Sequence, residues 1–134
     1  MTMANNLLQF SVEVPLNADE TKWFHDFLDD SDDLEDISSQ SGGELGFEFE
    51  WIDNGILFYA EENGDPENLA ETLLRFLTAT TRYNKLGFTY SETCSSMRPG
   101  EFGGGAVLLK REKDGGITTE YMNAVTWLTE KMGW

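Results

Sequence analysis

Two periods of hydrophobic residues run along the chain, and each predicts a different kind of element. From residue 8 to residue 14 every second residue is apolar, which predicts a half-buried strand that ends at Pro15. Over residues 18–29 the apolar residues lie three and four positions apart, which predicts an amphipathic helix. Asn17 followed by Glu20 is a capping-box pattern, and it places the start of this helix.

The same two periods predict the remaining elements. Apolar and polar residues alternate over 44–51, and Asn54-Gly55 predicts a hairpin turn into a return strand over 56–61. Asp65 as N-cap and Pro66 at the first helical position predict the start of a second helix. The pattern further predicts a loop over 29–43, an end of the second helix near 83–87, a strand around 88–90, a loop over 93–105, a hairpin of strands 106–110 and 117–121, and a terminal helix from about 123.

These elements predict an α+β fold. The sheet is expected to be antiparallel, with about five to six strands and with helices packed on one face. The first part, in the chain order β-α-β-β-α-β, matches a split-βαβ, ferredoxin-like arrangement, and a β-hairpin and a helix follow it. A length of 134 residues without a repeat or a convincing linker predicts a single domain over 1–134.

The net charge of the chain is concentrated in one segment. Residues 19–67 contain 17 of the 25 carboxylates but only one of the nine Lys and Arg residues, so this segment carries the whole net charge of −16. The other residues contain eight acids and eight bases, whose charges cancel. A polarised charge creates a face with a strong electrostatic field, which attracts cationic partners.

This segment predicts an acidic surface that binds a basic protein. Alternate glutamates of the predicted strand over 44–51 share one face at a spacing of about 6.6–6.8 Å, which imitates the spaced charges of a nucleic acid. The expected partner is therefore a basic protein such as a nucleic-acid-binding protein, while direct binding of nucleic acid or of an anionic membrane is disfavoured by repulsion. The residues predicted to form this surface are Asp29, Asp30, Asp32, Asp33, Glu35, Asp36, Glu44, Glu48 and Glu50. The alternative is a solvated face that only keeps the protein in solution.

A second candidate site lies in the neutral half of the chain. Three consecutive glycines permit backbone angles that other residues avoid, or a close approach of another group. A strand is predicted after them, whereas a phosphate-binding loop needs a helix N-terminus there. The residues of this possible loop site are Cys94, Arg98, Glu101, Gly103, Gly104 and Gly105.

Several kinds of chemistry are disfavoured by the sequence. Cys94 is the only cysteine, so no intramolecular disulfide and no cysteine-based zinc site is expected. The acidic run 29–36 does not place glycine and glutamate where a calcium-binding EF-hand loop needs them. We therefore expect no metal and no cofactor. The absence of a leader pattern and of a long apolar run predicts a cytoplasmic protein with no membrane segment.

One stretch of the neutral half carries a resemblance. Residues 91–107, with the Cys-Ser pair and the run Arg-Pro-Gly-Glu-Phe-Gly-Gly-Gly-Ala-Val, and the Trp-containing helix at 123–128 resemble small, acidic, functionally uncharacterised proteins of bacteria, phages and other mobile elements. The resemblance implies no activity. It implies a mobile-element context, in which small acidic proteins that block nucleic-acid-binding machinery recur.

The sequence thus favours a non-enzymatic acidic interaction protein, because no catalytic constellation is complete. Two alternatives stay open. One is a small-ligand-binding protein or minor enzyme that uses the glycine-rich loop over 100–105. The other is a subunit of a larger assembly that uses apolar surface for oligomerisation, since the oligomeric state does not follow from the sequence.

Overall fold

The computed structural model describes residues 6–29, 31–39, 43–94 and 103–133. It has one open antiparallel sheet of six strands and four helices, which confirms the predicted α+β class. In chain order the elements are β1 (Asn6–Pro15), α1 (Ala18–Asp29), α2 (Ser31–Ser39), β2 (Glu48–Ile52), β3 (Gly55–Ala60), α3 (Pro66–Ala79), β4 (Lys85–Cys94), β5 (Gly103–Arg111), β6 (Ile117–Asn123) and α4 (Ala124–Met132).

The sheet has the spatial order β2-β3-β1-β4-β5-β6, and every neighbouring pair is antiparallel. The alternation predicted for β1 separates its apolar face from its polar face: Phe10 and Val14 are buried in the core, while Ser11 and Glu13 are exposed. The strands therefore present one apolar face to the helices, and no described helix covers the opposite face. We call this opposite face the open face.

The core between the sheet and the helices is rich in aromatic rings. Phe24 of α1 lies with its ring centroid 5.6 Å from that of Phe58 on β3 and 4.6 Å from that of Phe76 on α3. All three side chains are fully buried. The amphipathic stripe that predicted α1 is therefore the surface that joins α1 to both the sheet and α3.

The turns and helix starts predicted from local sequence signals are present. The backbone N–H of Asn17 donates to Glu20 at 2.8 Å and that of Glu20 donates to the Asn17 side chain at 2.9 Å, which is the reciprocal capping box. Asn54 has a φ of +62°, as a tight hairpin turn between β2 and β3 requires. Asp65 caps α3 by accepting from the backbone N–H of Asn68 at 3.0 Å.

The predicted chain order of the first part is not confirmed, because residues expected to form a loop form the helix α2. Ile37 is fully buried in the core, and Leu34, three residues earlier, packs against it. Two aspartates lie in the first turn of α2, where the helix dipole favours negative charge. Burial of one apolar stripe therefore stabilises a short helix in a segment whose composition is typical of a loop.

Several predicted boundaries are also wrong. Strand β2 begins at Glu48 rather than near residue 44, and α3 ends at Ala79, before the predicted 83–87. Strands β4 and β5 are longer than predicted, so that Gly103–Gly105 belong to β5 rather than to the loop. Long-range pairing with neighbouring strands extends these elements beyond their apolar patterns. Among the described helices, none combines the length and the apolar character that crossing a membrane requires.

Candidate functional site

The sheet separates the acidic residues that the sequence assigned to one surface. Ile37 buries α2 within the helix layer, so the acids of α2 lie on the helix side of the sheet. Glu48 and Glu50 instead alternate with Phe49 and Trp51 along β2 and point to the open face. The predicted surface is therefore two surfaces on opposite sides of the molecule. Asp30 lies outside the described residues.

On the helix side, part of the acidic charge is paired within the fold. Arg75 of α3 forms ion pairs with Asp33 and Asp36 of α2, and with Glu71 one turn earlier in α3. The pKa of Arg75 is raised above its ordinary value, chiefly by the hydrogen bond to Asp36 and despite partial burial. Asp29, Asp32 and Glu35 are exposed at the rim of this group. The α2 acids thus hold α2 against α3 as well as facing solvent.

Glu44 does not join the row of glutamates predicted for β2. It lies four residues before the strand begins, and its side chain is exposed. Its backbone carbonyl accepts from the Asn68 side chain at 3.1 Å, and the carbonyl of Leu45 accepts from the same amide at 2.9 Å. Asn68 is buried at the start of α3, so this segment is attached to that helix through its backbone.

On the open face, strand pairing brings four carboxylates together. Glu48 lies opposite Tyr59 on β3, and Tyr59 lies opposite Ser11 on β1. One step further along, Leu57 lies between Glu50 and Glu13 in the same way. Glu61 follows Tyr59 by two residues and so points to the same side. We call Glu13, Glu48, Glu50 and Glu61 the open-face acidic cluster; all four side chains are exposed.

Sequence reasoning found Glu48 and Glu50 but missed Glu13 and Glu61. Glu13 stands at a polar position of the predicted alternating strand over 8–14, and Glu61 ends the predicted return strand over 56–61. Their meeting with β2 depends on the pairing of β1 with β3 and of β3 with β2. The Asn54-Gly55 turn predicts the second pairing, but no local signal predicts the first.

Tyr59 stands among the carboxylates of this cluster. Partial burial raises the pKa of its phenol, and the negative charges of Glu48, Glu50 and Glu61 raise it further. The hydroxyl therefore stays protonated and keeps a donor available. No strong base or nucleophile arises from this arrangement, because each shift favours the neutral phenol.

A shallow depression of about 680 Å³ lies beside the cluster on the open face. Its lining combines apolar groups with polar side chains from β1, β3, β4 and β2. The polar side chains include hydroxyl, amide and carboxylate groups, namely Gln9, Ser11, Glu50, Tyr59, Glu61, Thr89 and Ser91. Such a surface offers hydrogen-bond acceptors and negative charge, which together suit an ammonium or guanidinium group.

The carboxylates of the cluster have no cationic partner in the described part of the chain. None of the four lies within 4 Å of a described Lys, Arg or His nitrogen. The register of β4 and β5 places Lys85 opposite Lys110 on the open face, several strands away from β2. These lysines of the open face therefore lie outside the acidic cluster.

The glycine-rich segment has a packing role where the structure describes it. A β-carbon on Gly105 would lie 1.9 Å from the carbonyl oxygen of Met122 on β6, and one on Gly104 would lie 2.5 Å from that of Tyr90 on β4. Gly104 also has a φ of +148°, which residues with a side chain rarely adopt. The glycines thus let β4, β5 and β6 approach closely.

The other residues of the predicted loop site fall in a part of the chain that the structure does not describe. Arg98 and Glu101 lie outside the described residues, and so does the side chain of Cys94, the last residue of β4. The loop site therefore stays a prediction. Within the described ranges, no group of three or more His, Cys, Asp and Glu side chains is arranged to hold a metal ion.

Comparison with known proteins adds no relative. No family model, no curated protein and no solved structure matches the chain. The resemblance to small acidic proteins of bacteria, phages and mobile elements stays a prediction from residues 91–107 and 123–128.

Proposed function

We propose that this chain is a non-enzymatic interaction protein that binds a basic partner through the open-face acidic cluster. One observation carries the proposal: four exposed carboxylates share the open face of the sheet and have no cationic partner among the described residues. Like charges on neighbouring strands cost stability, so the fold itself gains nothing from this arrangement.

The open face supports binding better than the α2 acids do. Asp33 and Asp36 of α2 already form ion pairs with Arg75, and a partner would have to compete for them. The cluster on the open face instead borders a depression whose polar lining offers further hydrogen bonds. A cationic side chain placed there would gain both charge attraction and hydrogen bonds.

A nucleic-acid-binding protein is the class of partner that we propose. Glu48 and Glu50 stand on alternate positions of one strand, at the spacing of about 6.6–6.8 Å expected from strand geometry. A regular row of exposed negative charge is what a phosphate-binding surface recognises without reading sequence. An origin in a phage or another mobile element accords with this role, and it rests only on the resemblance described above.

Replacing Glu48 and Glu50 together by glutamine should weaken binding of a basic probe. We expect the affinity for a fluorescent decalysine peptide, measured by anisotropy at 0.1 M salt, to fall about five-fold, because each exposed ion pair contributes about 0.2–1 kcal/mol. The matched control is Asp29→Asn with Glu35→Gln, which removes the same charge from exposed positions on the helix side. The control should change the affinity less than two-fold.

The salt dependence separates binding from solubility alone. Binding of the peptide should weaken sharply between 0.1 and 1 M salt, because the Debye length falls from about 10 Å to about 3 Å. Equal losses in the two double variants would assign the effect to net charge and contradict a specific surface. A pull-down from the source cell, washed at both salt concentrations, then identifies basic proteins that only low salt retains.

A further inference from the structure

The exposed apolar surface of the molecule is concentrated at its C-terminal end. Among the described residues, eight large hydrophobic side chains are exposed, and six of them lie within twelve residues of one another. These six belong to β6 and α4 and are Tyr121, Met122, Val125, Trp127, Leu128 and Met132, each between 45% and 55% exposed. We call them the C-terminal apolar patch. These residues flank the β6 edge on both faces of the sheet, since Tyr121 and Met122 are neighbours along the strand and point to opposite faces. Exposed apolar surface on an otherwise very acidic chain marks a place where something binds.

Helix α4 is well formed although none of its side chains is buried. The side chain of Asn123 accepts from the backbone N–H groups of Val125 and Thr126 at 3.0 and 3.1 Å, and Gly133 ends the helix in the left-handed conformation. A helix of nine residues is marginal in water unless it packs on something. Its exposed apolar residues are thus suited to packing against a surface that the described part of the chain does not supply.

The two edges of the sheet differ in how they are protected. The β2 edge is five residues long and carries Glu48 and Glu50, and charges of this kind discourage edge-to-edge pairing. The β6 edge is seven residues long and carries one charge, Glu120, among threonine, isoleucine, tyrosine and methionine. An edge with this composition favours pairing with another strand.

We propose that two copies of this chain associate about a two-fold axis through the β6 edge and the C-terminal apolar patch. A two-fold interface uses the same patch on both copies, and an antiparallel strand edge is complementary to itself. The patch contains almost no net charge, since Glu120, Glu130 and Lys131 are the only charged residues from Ile117 to Gly133. A basic partner would find little net charge within the patch, whereas a second copy offers matching apolar surface.

The distribution of charge favours contact at this edge over any other. All of the net charge of −16 lies in residues 19–67, and β2 and β3, which belong to that segment, form the opposite edge of the sheet. Five strand spacings separate β2 from β6, which is about 24 Å. This distance exceeds the Debye length of about 8 Å at physiological salt, so the charges on β2 and β3 of two copies repel each other only weakly, although Asp65 and Glu67 of the same segment lie closer to β6.

The size of the patch fits a stable dimer. Six half-exposed large side chains can hide roughly 100 Å² each, or about 600 Å² per copy. Pairing of two β6 edges adds backbone and threonine surface to this area. The sum approaches the roughly 800 Å² per partner that specific interfaces bury.

Some acidic residues border the patch. The pKa of Tyr121 is raised by partial burial and then by the charges of Glu67, Glu71 and Asp65 near the start of α3. Two copies brought together here would place these charges closer to one another. Added salt should therefore leave the dimer intact or tighten it, since salt screens this repulsion and apolar contacts do not depend on it.

The mass in solution tests this proposal. We expect sedimentation equilibrium of the full chain at micromolar concentration to give twice the monomer mass of 15.1 kDa. Leu128→Glu should give a monomer, because it places a charge within the proposed apolar contact. The matched control is Phe49→Glu, which puts the same residue at an exposed apolar position of the β2 edge, and it should remain dimeric. Circular dichroism of both variants should show unchanged secondary structure.

Three results would overturn the proposal. These are a wild-type monomer at 100 µM, a dimer lost in Phe49→Glu but kept in Leu128→Glu, and a mass that keeps growing with concentration, which indicates open-ended contacts. The salt response distinguishes this proposal from the proposed function. Decalysine binding should weaken from 0.1 to 1 M salt while the dimer persists, so either proposal can fail without the other.

Discussion

Replacing Gly105 with alanine is expected to lower the free energy of unfolding by about 2–3 kcal/mol. The new β-carbon would lie 1.9 Å from the carbonyl oxygen of Met122 and 2.7 Å from the hydroxyl of Tyr90, so β6 must shift away from β5. Forcing extra volume into close-packed structure costs about 1–3 kcal/mol, and a backbone neighbour cannot rotate out of the way. Alanine also lowers the conformational entropy of the unfolded chain, but this stabilises the fold by only about 0.4–1 kcal/mol.

Gly116→Ala is the matched control for this substitution. Gly116 lies in the turn between β5 and β6, and the nearest neighbour of an added β-carbon is the movable side chain of Asp114, at 3.1 Å. Urea unfolding of both variants should therefore show a loss at Gly105 and little change, or a small gain, at Gly116. Equal effects at the two positions would mean that the strands are not packed as closely as the structure shows. A loss confined to Gly105 would give the glycine run a structural reason that needs no ligand.

The second large effect is expected at Glu20, a carboxylate that is only 4% exposed. Its oxygens accept from the guanidinium of Arg82 at 2.6–3.0 Å and from the hydroxyl of Thr80 at 3.0 Å. Glu20→Gln replaces one carboxylate oxygen, which accepts hydrogen bonds, with an NH2 group, which donates them. The donors of Arg82 and Thr80 would then face another donor. We expect a loss of about 2 kcal/mol at pH 7, because unsatisfied buried polar groups cost about 1–3 kcal/mol.

The pH dependence of stability should identify the charge of Glu20 as the cause. Burial would raise the pKa of this carboxyl, but hydrogen bonds from Arg82, the backbone of Asn17 and Thr80 together lower it below 4.5. A lowered pKa in the folded state stabilises the fold fully above pH 4.5, and this contribution is lost as the pH falls through the folded value. The difference between wild type and Glu20→Gln should therefore be constant from pH 5.5 to 8 and shrink below pH 4.5.

Guanidinium unfolding would mask this effect through its own salt, so urea is the suitable denaturant. Glu62→Gln serves as the control, since that side chain is exposed at the end of β3. It should change the free energy of unfolding by less than about 0.5 kcal/mol at every pH. A wild-type-to-variant difference at Glu20 that persists unchanged to pH 3 would argue against the ion pair with Arg82.

Elements that depend on neighbouring residues could be predicted from the sequence. The capping box at Asn17 and Glu20, the hairpin turn at Asn54, and the start of α3 at Asp65 each form through contacts within a few residues. Their geometry follows from local donors, acceptors and backbone preferences, whatever the rest of the chain does.

Helix α2 shows why other elements could not be predicted. Its sequence is acidic and contains serines, so its intrinsic preference for a helix is weak. Burial of Ile37 in a core built from distant segments supplies the missing stability, and Arg75, thirty-nine residues after Asp36, neutralises part of its charge. Contacts between remote segments therefore override the local preference.

The amount of negative charge and its confinement to residues 19–67 follow from the sequence alone, since covalent order decides where charges lie along a chain. Which of these charges share a surface is a property of the tertiary structure. The pleat and register of β1, β2 and β3 bring Glu48, Glu50 and Glu61 of this segment to the open face, where Glu13 of β1 joins them. Burial of Ile37 instead places the acids of α2 on the opposite side of the sheet, and neither arrangement can be read from the order of residues along the chain.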